Sequence, residues 1–381
     1  MSHTVKHLGV ETTFERPNIL LNELHSHRQW QQQIDPAVEA FHRTLPHYGE
    51  TELHSLPSVA EELGFSHVFI KDESTRFGLP SFKILGASWA IAQALGRKLD
   101  LPRTATFSEL TEALEARDDI GLVTCTEGNW GRACSRMAKY LDIPCRIYVP
   151  WFMNESTQGL LRGEGADVKL LADGSYDDTI AAVKHDSETT GTLMVMDTSW
   201  DGYTEFPQWV TDGYGTMLTE TDRQVFSQTG GRSADFAFVS VGVGSWAHAV
   251  VGHYMANDPG NKIITVEPVA APSFKESLHC GEITPIDTGE TIMNGMNCGT
   301  TSIIAWPVLR DGSYAAVTVT DVEAHKSLQY LQGKGVNAGP CGAATLAALR
   351  KLCAETDFQD RKDKVVVLFS TEGSREYEIP H

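Results

Sequence analysis

Apolar positions along the chain follow two patterns, and these patterns alternate. Short runs rich in Val, Ile and aromatic residues, bounded by Gly, Pro and Asp, are typical of buried β-strands. The predicted strands cover residues 67–72, 120–125, 145–150, 166–171, 192–197, 236–241, 262–267 and 365–370. Segments with apolar residues at helical spacing lie between them, for example at 130–141 and 246–256. Strands that alternate with helices indicate an α/β protein with parallel sheets covered by helices.

The length of the chain favours two domains. With 381 residues, of which 41% are hydrophobic, the chain can bury one large core or two smaller ones. The stretch from about 272 to 315 is rich in Gly, Ser and Thr and has few periodic apolar positions. It predicts a long irregular connection.

The charge balance excludes several classes of partner. The 50 acidic and 31 basic residues give a formal net charge of -19, which repels nucleic-acid phosphates and anionic lipid headgroups. No segment approaches the ~18 uninterrupted apolar residues of a membrane span, and MSHTVKHLGVETTFERPNILL lacks the apolar core of a secretion signal. The seven scattered cysteines contain no C-x-x-C pair, which favours reduced thiols over a zinc site or a disulfide framework. We therefore expect a cytoplasmic protein without a metal site.

The first candidate for chemistry is a lysine in the segment KDESTRFGLPSFK, residues 71–83. Lys83 follows Phe82 and precedes an apolar run. Apolar surroundings disfavour the ammonium form of a lysine and make its neutral amine available as a nucleophile. An arbitrary lysine at a helix start usually only extends its amine into water. Lys83 alone is therefore weak evidence, and the other motifs decide its meaning.

Two further motifs have the form strand, glycine turn, helix. In TCTEGNWGRA, residues 124–133, the backbone N–H groups suit a carboxylate, and the Asn129 amide suits a phenolic or carbonyl oxygen. Because Gly and Asn are common turn formers, this motif alone is a weak signal. In SVGVGSWAHAV, residues 240–250, a close backbone approach and a helix N-terminus suit a phosphate. The residues of that predicted phosphate turn are Gly242, Val243, Gly244 and Ser245.

The second of these turns has an alternative interpretation. Gly242 to Ala247 also fits the G-x-G-x-x-A dinucleotide fingerprint, with Glu267 as the acidic residue about 20 positions further on. An NAD-dependent enzyme with a Rossmann fold would match that segment. It would leave the Lys83 motif, the 124–133 turn and the STEGSRE segment at 370–376 unexplained. The interpretation as a pyridoxal-phosphate enzyme gives a role to these three segments and to the 242–245 turn.

The four motifs, in this order, resemble those of the fold type II pyridoxal-phosphate enzymes, the relatives of tryptophan synthase β and threonine dehydratase. Within that group the sequence is most similar to the diaminopropionate ammonia-lyase family. The resemblance runs from about residue 40 to the end of the chain. Four long blocks carry it: KDES-x-RFGL-x-x-FK at 71–83, DTSWDGYTEFPQW at 197–209, GY-x-TM-x-x-E at 213–220 and TIMNGMNCG at 291–299.

The resemblance implies two domains, each a mostly parallel twisted sheet covered by helices. Residues 1–84 and 198–381 would form a large cofactor-binding domain, and 85–197 a smaller inserted α/β domain. It further implies a homodimer that performs α,β-elimination on a small amino acid. The substrate would be 2,3-diaminopropionate and the products pyruvate and ammonia. The alternative is a dehydratase or β-replacement enzyme that acts on serine, threonine or a hydroxyaspartate-like substrate.

Carried over residue by residue, the resemblance also implies roles in the site. Lys83 would hold pyridoxal phosphate as a Schiff base and carry a proton, with Phe82 beside the pyridine ring. Asn129 would hold the 3′ oxygen of the cofactor, and the turn 242–245 its phosphate. The Ser370 hydroxyl would face the pyridine nitrogen. The residues implied for the substrate are Asp197, which would grip an amino group on the β-carbon, Glu127 as a second catalytic acid, and Thr126, Gly128 and Trp130.

The sequence departs from the family pattern near the implied substrate. Glu127 stands where the family has aspartate, Trp130 replaces a histidine, and Cys341 replaces a serine. Pro80 and Ser81 differ beside the lysine. A plainer role exists for Glu127, as a helix N-terminal acid, and for Asp197, as a cap of the following turn. The exact substrate is therefore the part of the prediction that the sequence constrains least.

Overall fold

The computed structural model of the chain describes residues 2–7, 10–15, 17–26, 34–126, 128–174, 176–358 and 361–381. The strands, in chain order, are β1 (Ser2–His7), β2 (Val10–Glu15), β3 (Ile19–Leu21), β4 (Leu53–Ser55), β5 (His67–Asp72), β6 (Leu122–Cys125), β7 (Cys145–Pro150), β8 (Asp167–Leu171), β9 (Leu193–Met194), β10 (Phe236–Ser240), β11 (Lys262–Pro268), β12 (Ser313–Val319) and β13 (Val365–Ser370). The helices are α1 (Pro36–His42), α2 (Pro57–Leu63), α3 (Lys83–Lys98), α4 (Phe107–Leu114), α5 (Asn129–Leu141), α6 (Glu155–Gly163), α7 (Tyr176–Thr190), α8 (Glu205–Gly213), α9 (Gly215–Thr229), α10 (Ser245–Asn257), α11 (Ser273–Cys280), α12 (Trp306–Gly312), α13 (Asp321–Gln332) and α14 (Pro340–Glu355).

The chain divides into two compact units. The smaller unit comprises residues 35–49 and 76–216, and the larger unit comprises 1–34, 50–75 and 217–381. The smaller unit therefore includes Lys83 and extends beyond the 85–197 segment expected for an inserted domain. Those expected domain bounds stay a prediction.

The larger unit is built on a seven-stranded sheet with the order β3-β12-β11-β10-β13-β5-β4. The five central strands are parallel, and the short edge strands β3 and β4 pair antiparallel. The inner strands β10 and β13 are buried at every position, as expected for a parallel sheet covered on both faces. Apolar side chains of α14, such as Leu346 and Leu349, join the same core as Phe238 and Leu368 of the sheet.

The smaller unit is built on a four-stranded parallel sheet with the order β8-β7-β6-β9. Its central strand β6 is fully buried, and Val123 and Cys125 pack with Val183 and Met196. Each strand of this sheet is followed by a helix. Helix α5 begins directly after the turn that leaves β6, which places the first residues of α5 at the carboxyl end of the strand.

The predicted α/β class and its parallel sheets are confirmed. The structure also contains the strands predicted at 67–72, 145–150 and 365–370 and the helices predicted at 130–141 and 246–256, which it extends by one residue or two. The prediction of an irregular connection at 272–315 is wrong in part, because α11 and α12 lie in it. Glu267 caps α11 from the preceding strand, a contact that local periodicity does not reveal. None of the described helices is long and apolar enough to span a bilayer.

Candidate functional site

Lys83 is the first residue of α3, and its amine has both a charged and an aromatic environment. The Nζ atom donates a hydrogen bond to Asp197 Oδ2 at 2.5 Å. It also lies 5.6 Å from the ring centroid of Phe82 and 5.9 Å from that of Trp130. The Lys83 and Asp197 side chains are 19% and 12% exposed, so little water screens the pair. The carboxylate favours the ammonium form, in opposition to the apolar surroundings that the sequence predicted.

Three buried contacts fix the first turn of α3 within the smaller unit. The Phe82 ring packs on the Tyr214 ring, with centroids 4.9 Å apart. His42 Nε2 lies 3.0 Å from the Leu85 carbonyl oxygen, and His42 Nδ1 lies 2.6 Å from Thr216 Oγ1. Because a carbonyl oxygen only accepts, Nε2 carries the proton and Nδ1 accepts from the Thr216 hydroxyl. The helix that begins at Lys83 is thereby fixed in position at its start.

The Thr126 hydroxyl stabilises the turn after β6. Thr126 Oγ1 accepts the N–H of Gly128 at 2.9 Å and the N–H of Gly131 at 3.0 Å. A Cβ on Gly131 would lie 2.4 Å from the Thr126 methyl carbon, so only glycine fits there. Asn129, the first residue of α5, is half-buried. Glu127 lies outside the described residues.

Trp130 is a buried residue whose ring lies next to the Lys83 amine. Its indole N–H donates to Thr124 Oγ1 at 3.1 Å and to the Val195 carbonyl at 3.2 Å. The side chain is 5% exposed. These bonds fix the orientation of the ring that lies beside Lys83 Nζ.

In the larger unit, the turn between β10 and α10 brings backbone groups close together. Gly244 has a φ of 102°, which favours glycine. A Cβ on Gly242 would lie 2.8 Å from the Gly295 carbonyl oxygen. Ser245 begins α10 and is buried. A glycine turn at the N-terminus of a 13-residue helix suits an anion.

Ser370 is the last residue of β13, and its hydroxyl is buried. Within the described part of the chain, the Oγ atom has no hydrogen-bond partner. A Cβ on Gly342 would lie 2.6 Å from that oxygen, so the glycine lets α14 approach it. A buried hydroxyl without a partner costs about 1–3 kcal/mol. The position therefore suits a ligand atom that hydrogen-bonds the hydroxyl.

Glu267, the acidic residue of the alternative dinucleotide interpretation, has a different role. Its carboxylate accepts the N–H of Phe274 at 2.8 Å and the N–H of Lys275 at 2.9 Å. Burial raises the pKa of this carboxyl group to about 7, although the two backbone donors oppose the shift. A carboxylate that caps α11 with both oxygens is poorly placed to bind a ribose.

An α/β fold with a lysine at a helix start, a glycine turn before a second helix and a buried serine at a strand end defines the fold type II class of cofactor enzymes. Residues 44–371 match the family described as pyridoxal-phosphate dependent enzymes, and the chain belongs to that family. It is a pyridoxal-phosphate-dependent lyase.

Named relatives and solved structures agree with this family. Diaminopropionate ammonia-lyase of Salmonella typhimurium is 32% identical over 363 residues, which cover 90% of this chain and 89% of the relative. The biosynthetic L-threonine dehydratase of Corynebacterium glutamicum is 26% identical over 79% of this chain and 64% of its own. The crystal structure of the Escherichia coli diaminopropionate ammonia lyase in complex with D-serine is 28% identical, covers 93% of both chains and has a TM-score of 0.85.

The residues present fit pyridoxal phosphate. The buried Ser370 hydroxyl, without a partner in the described residues, suits a ring nitrogen that accepts its hydrogen bond. The close backbone of the 242–245 turn suits a phosphate. The Lys83 amine suits the aldehyde.

The structure gathers most of the predicted site residues into two groups. In the smaller unit, Lys83, Phe82, Trp130 and Asp197 lie together, and Thr126, Gly128 and Asn129 form the turn that leads to Trp130. The turn 242–245 and Ser370 belong to the larger unit. The sequence interpretation missed Tyr214 and Thr216, which support the start of α3. The block matched at 213–220 contains both and was the available signal.

Proposed function

We propose that this enzyme removes the β-amino group of 2,3-diaminopropionate and that hydrolysis of the product gives pyruvate and a second ammonia. One observation carries the proposal: Lys83 Nζ and Asp197 Oδ2 are 2.5 Å apart, so an amine that can take the Cα proton and a carboxylate that can hold a β-ammonium group lie within a single contact. The similarity to relatives named diaminopropionate ammonia-lyase, over nine tenths of the chain, supports the same substrate.

We assign a task to each site residue. Lys83 anchors the cofactor covalently, Phe82 lies beside its ring, and Asn129 holds its 3′ oxygen. Backbone N–H groups of the 242–245 turn and the Ser245 hydroxyl bind the phosphate. Ser370 donates to the pyridine nitrogen. Thr126, Gly128 and Trp130 shape the substrate pocket. From the sequence resemblance alone, Glu127 is assigned the role of a second catalytic acid.

The bound cofactor supplies a conjugated ring that makes the Cα proton of an amino-acid substrate acidic. Lys83 Nζ takes that proton, since it is the amine next to the substrate. Asp197 Oδ2 holds the β-ammonium group through a charge-assisted hydrogen bond and keeps it protonated until it leaves as ammonia. The Trp130 ring excludes water from one side of the Lys83 amine.

Asp197 separates this activity from the second candidate, a dehydratase for serine, threonine or hydroxyaspartate-like substrates. A carboxylate favours a cationic β-substituent over a neutral hydroxyl. The second candidate is favoured by the 26% identity to a threonine dehydratase. A direct comparison of substrates decides between the two.

The holoenzyme is incubated with L- and D-2,3-diaminopropionate, serine, threonine and hydroxyaspartate, and release of the 2-oxo acid is followed. We expect kcat/KM to be highest for diaminopropionate. Asp197→Asn is expected to reduce that kcat/KM by about 10²-fold or more, because the variant loses a charge-assisted contact in the transition state. Retained cofactor absorbance shows that the variant still binds pyridoxal phosphate.

Asp119→Asn is the matched control. Asp119 pairs with Arg117 on the surface of the same unit and should leave turnover unchanged. Turnover of serine or threonine with silence toward diaminopropionate contradicts the proposed substrate. Equal activity of Asp197→Asn and the native enzyme contradicts the role of Asp197.

We also infer a cytoplasmic homodimer without nucleic-acid or membrane partners. The net charge of -19, which repels nucleic-acid phosphates and anionic lipid headgroups, supports the part of this inference that concerns partners. The resemblance to a commonly dimeric family supports the oligomeric state.

A further inference from the structure

Three segments of the larger unit meet around two charged side chains near the C-terminus. Glu372 and Arg375 belong to the STEGSRE segment, of which the proposed function uses only Ser370. They contact the TIMNGMNCG segment at 291–299 and the start of α14.

Arg375 grips the first of these segments through its guanidinium group. The Nη2 atom donates to the Ile292 carbonyl oxygen. The Nη1 atom donates to the Asn294 side-chain oxygen at 3.0 Å, with the amide oriented so that its nitrogen donates to the Thr291 carbonyl at 2.7 Å. A two-pronged contact of this kind fixes direction as well as distance.

Asp321, the first residue of α13, accepts hydrogen bonds from donor groups of the same segment. Its carboxylate accepts the Ile292 N–H at 3.1 Å and the Thr291 hydroxyl at 2.5 Å. The N–H and the C=O of Ile292 are thus both bonded to charged side chains. Such a segment has little freedom to shift.

The segment that Arg375 and Asp321 hold packs against the 242–245 turn, which is proposed to bind phosphate. A Cβ on Gly242 would lie 2.8 Å from the Gly295 carbonyl oxygen and 3.2 Å from Cys298 Sγ. A small displacement of residues 292–295 would therefore reach the backbone of Gly242 directly.

Glu372 connects Arg375 to Ser370 through the start of α14. It is 5% exposed, and its Oε1 atom accepts the Cys341 N–H at 3.2 Å and lies 3.7 Å from Arg375 Nε. The next residue of α14, Gly342, packs against the Ser370 hydroxyl. Burial, with the nearby Glu372 carboxylate, raises the pKa of the Cys341 thiol well above its usual value, so the thiol stays neutral.

We propose that Arg375 and Glu372 are positioning residues. Arg375 holds residues 292–295 against the 242–245 turn, and Glu372 holds Arg375 in place and, through the start of α14, supports Ser370. The inference rests on the proposed role of the turn in phosphate binding. Neither side chain has to touch the cofactor. Loss of Arg375 should loosen the wall behind Gly242 and weaken the grip on the phosphate group.

The test compares two ligands of the full-length protein after its cofactor has been removed. Equilibrium constants are measured for pyridoxal phosphate and for pyridoxal, which has the aldehyde and the ring but no phosphate. We expect Arg375→Met to raise the Kd for pyridoxal phosphate about tenfold and to leave the Kd for pyridoxal unchanged. Arg375→Lys should give an intermediate effect, since a lysine replaces one prong of the contact. Arg350→Met is the control, because Arg350 pairs with Glu62 elsewhere on the same unit.

Ser245→Ala separates the inference from the function on which it rests. If Ser245→Ala weakens pyridoxal phosphate selectively and Arg375→Met does not, the positioning role is refuted and the phosphate turn stands. If neither variant is selective, both fail. Should Arg375→Met not fold, as judged by thermal unfolding, Glu372→Gln replaces it, since the amide oxygen still accepts the Cys341 N–H. A selective loss with Glu372→Gln supports the inference, and its absence overturns it.

Discussion

At the scale of single residues, the Lys83 amine lies among neighbours that act on it in opposite ways. The Asp197 carboxylate and the faces of Phe82 and Trp130 all stabilise a positive charge. Removal of the amine from bulk water disfavours that charge. The balance suits a group that must hold a proton and release it within one catalytic cycle.

Glu267 allows a test of pH dependence. Its pKa in the folded protein is raised from an ordinary 4.5 to about 7, mainly by burial. The folded state therefore binds this proton more tightly than the unfolded state. The contribution of Glu267 to stability is full below about pH 4.5 and is lost as the pH rises to about 7, at no more than about 1.4 kcal/mol per pH unit.

We expect the unfolding free energy of the native protein, relative to that of Glu267→Gln, to fall between pH 4.5 and 7 and to stay constant above. The amide of the variant has no charge to gain over this range. Urea unfolding at several pH values measures the difference. Glu282→Gln, at an exposed position after α11, serves as control. A difference that does not depend on pH contradicts the buried, proton-binding role of Glu267.

The sequence singles out the candidate site residues, but it does not predict their contacts. Lys83 and Asp197 are each marked by a block of matched residues, yet 114 positions separate them. Trp130 stands where the family pattern has a histidine. The bonds from its indole to Thr124 and Val195 depend on the pairing of β6 with β9, which no local pattern reveals.

At the scale of elements, α3 and α8 approach closely at two glycines. A Cβ on Gly86 would lie 2.8 Å from the Tyr214 ring, and a Cβ on Gly213 would lie 2.5 Å from the Leu85 carbonyl oxygen. Because α3 begins at Lys83, this packing also fixes the start of the helix that bears the Lys83 side chain. The close contact requires glycine at both positions, because a side chain at either one would clash with the facing helix.

Gly213→Ala should destabilise the protein by about 2–4 kcal/mol, because the new methyl group meets backbone that cannot rotate away. Gly159→Ala is the matched control within α6, where nothing lies within 4 Å of an added Cβ. There the substitution should stabilise the folded protein by about 0.5–1 kcal/mol. Midpoints of urea unfolding measure both. An equal response of the two variants would show that the helices separate without cost.

Strands with sharply bounded apolar runs were predicted well, whereas short or remotely capped elements were not. Strands β5, β7 and β13 begin and end where their apolar runs do. The edge strands β3 and β4 have only three residues each, too few for a periodicity to appear. Helix α11 depends on a carboxylate from β11, so its start has no local signal.

At the scale of the whole molecule, two units were expected, but the assignment of the early residues could not be read from the chain. Residues 35–49 belong to the smaller unit, although they precede part of the larger one. His42 shows why, since its ring bonds to Leu85 and Thr216, far along the sequence. Apolar periodicity reports which face of an element is buried and not which core receives it.

The net charge of -19 should make the stability of the whole protein depend on salt. Repulsion among the acidic residues destabilises the compact state, and salt weakens it as the screening length falls from about 30 Å at 0.01 M to about 8 Å at 0.15 M. Exposed pairs such as Arg97–Glu205 also weaken, but solvent-exposed ion pairs contribute little to stability. We therefore expect the Tm of the holoenzyme to rise between about 0.01 M and 0.15 M NaCl. Thermal unfolding with saturating pyridoxal phosphate measures this, and KCl should give the same curve if the effect is screening. A Tm that falls with salt would mean that ion pairs outweigh the repulsion.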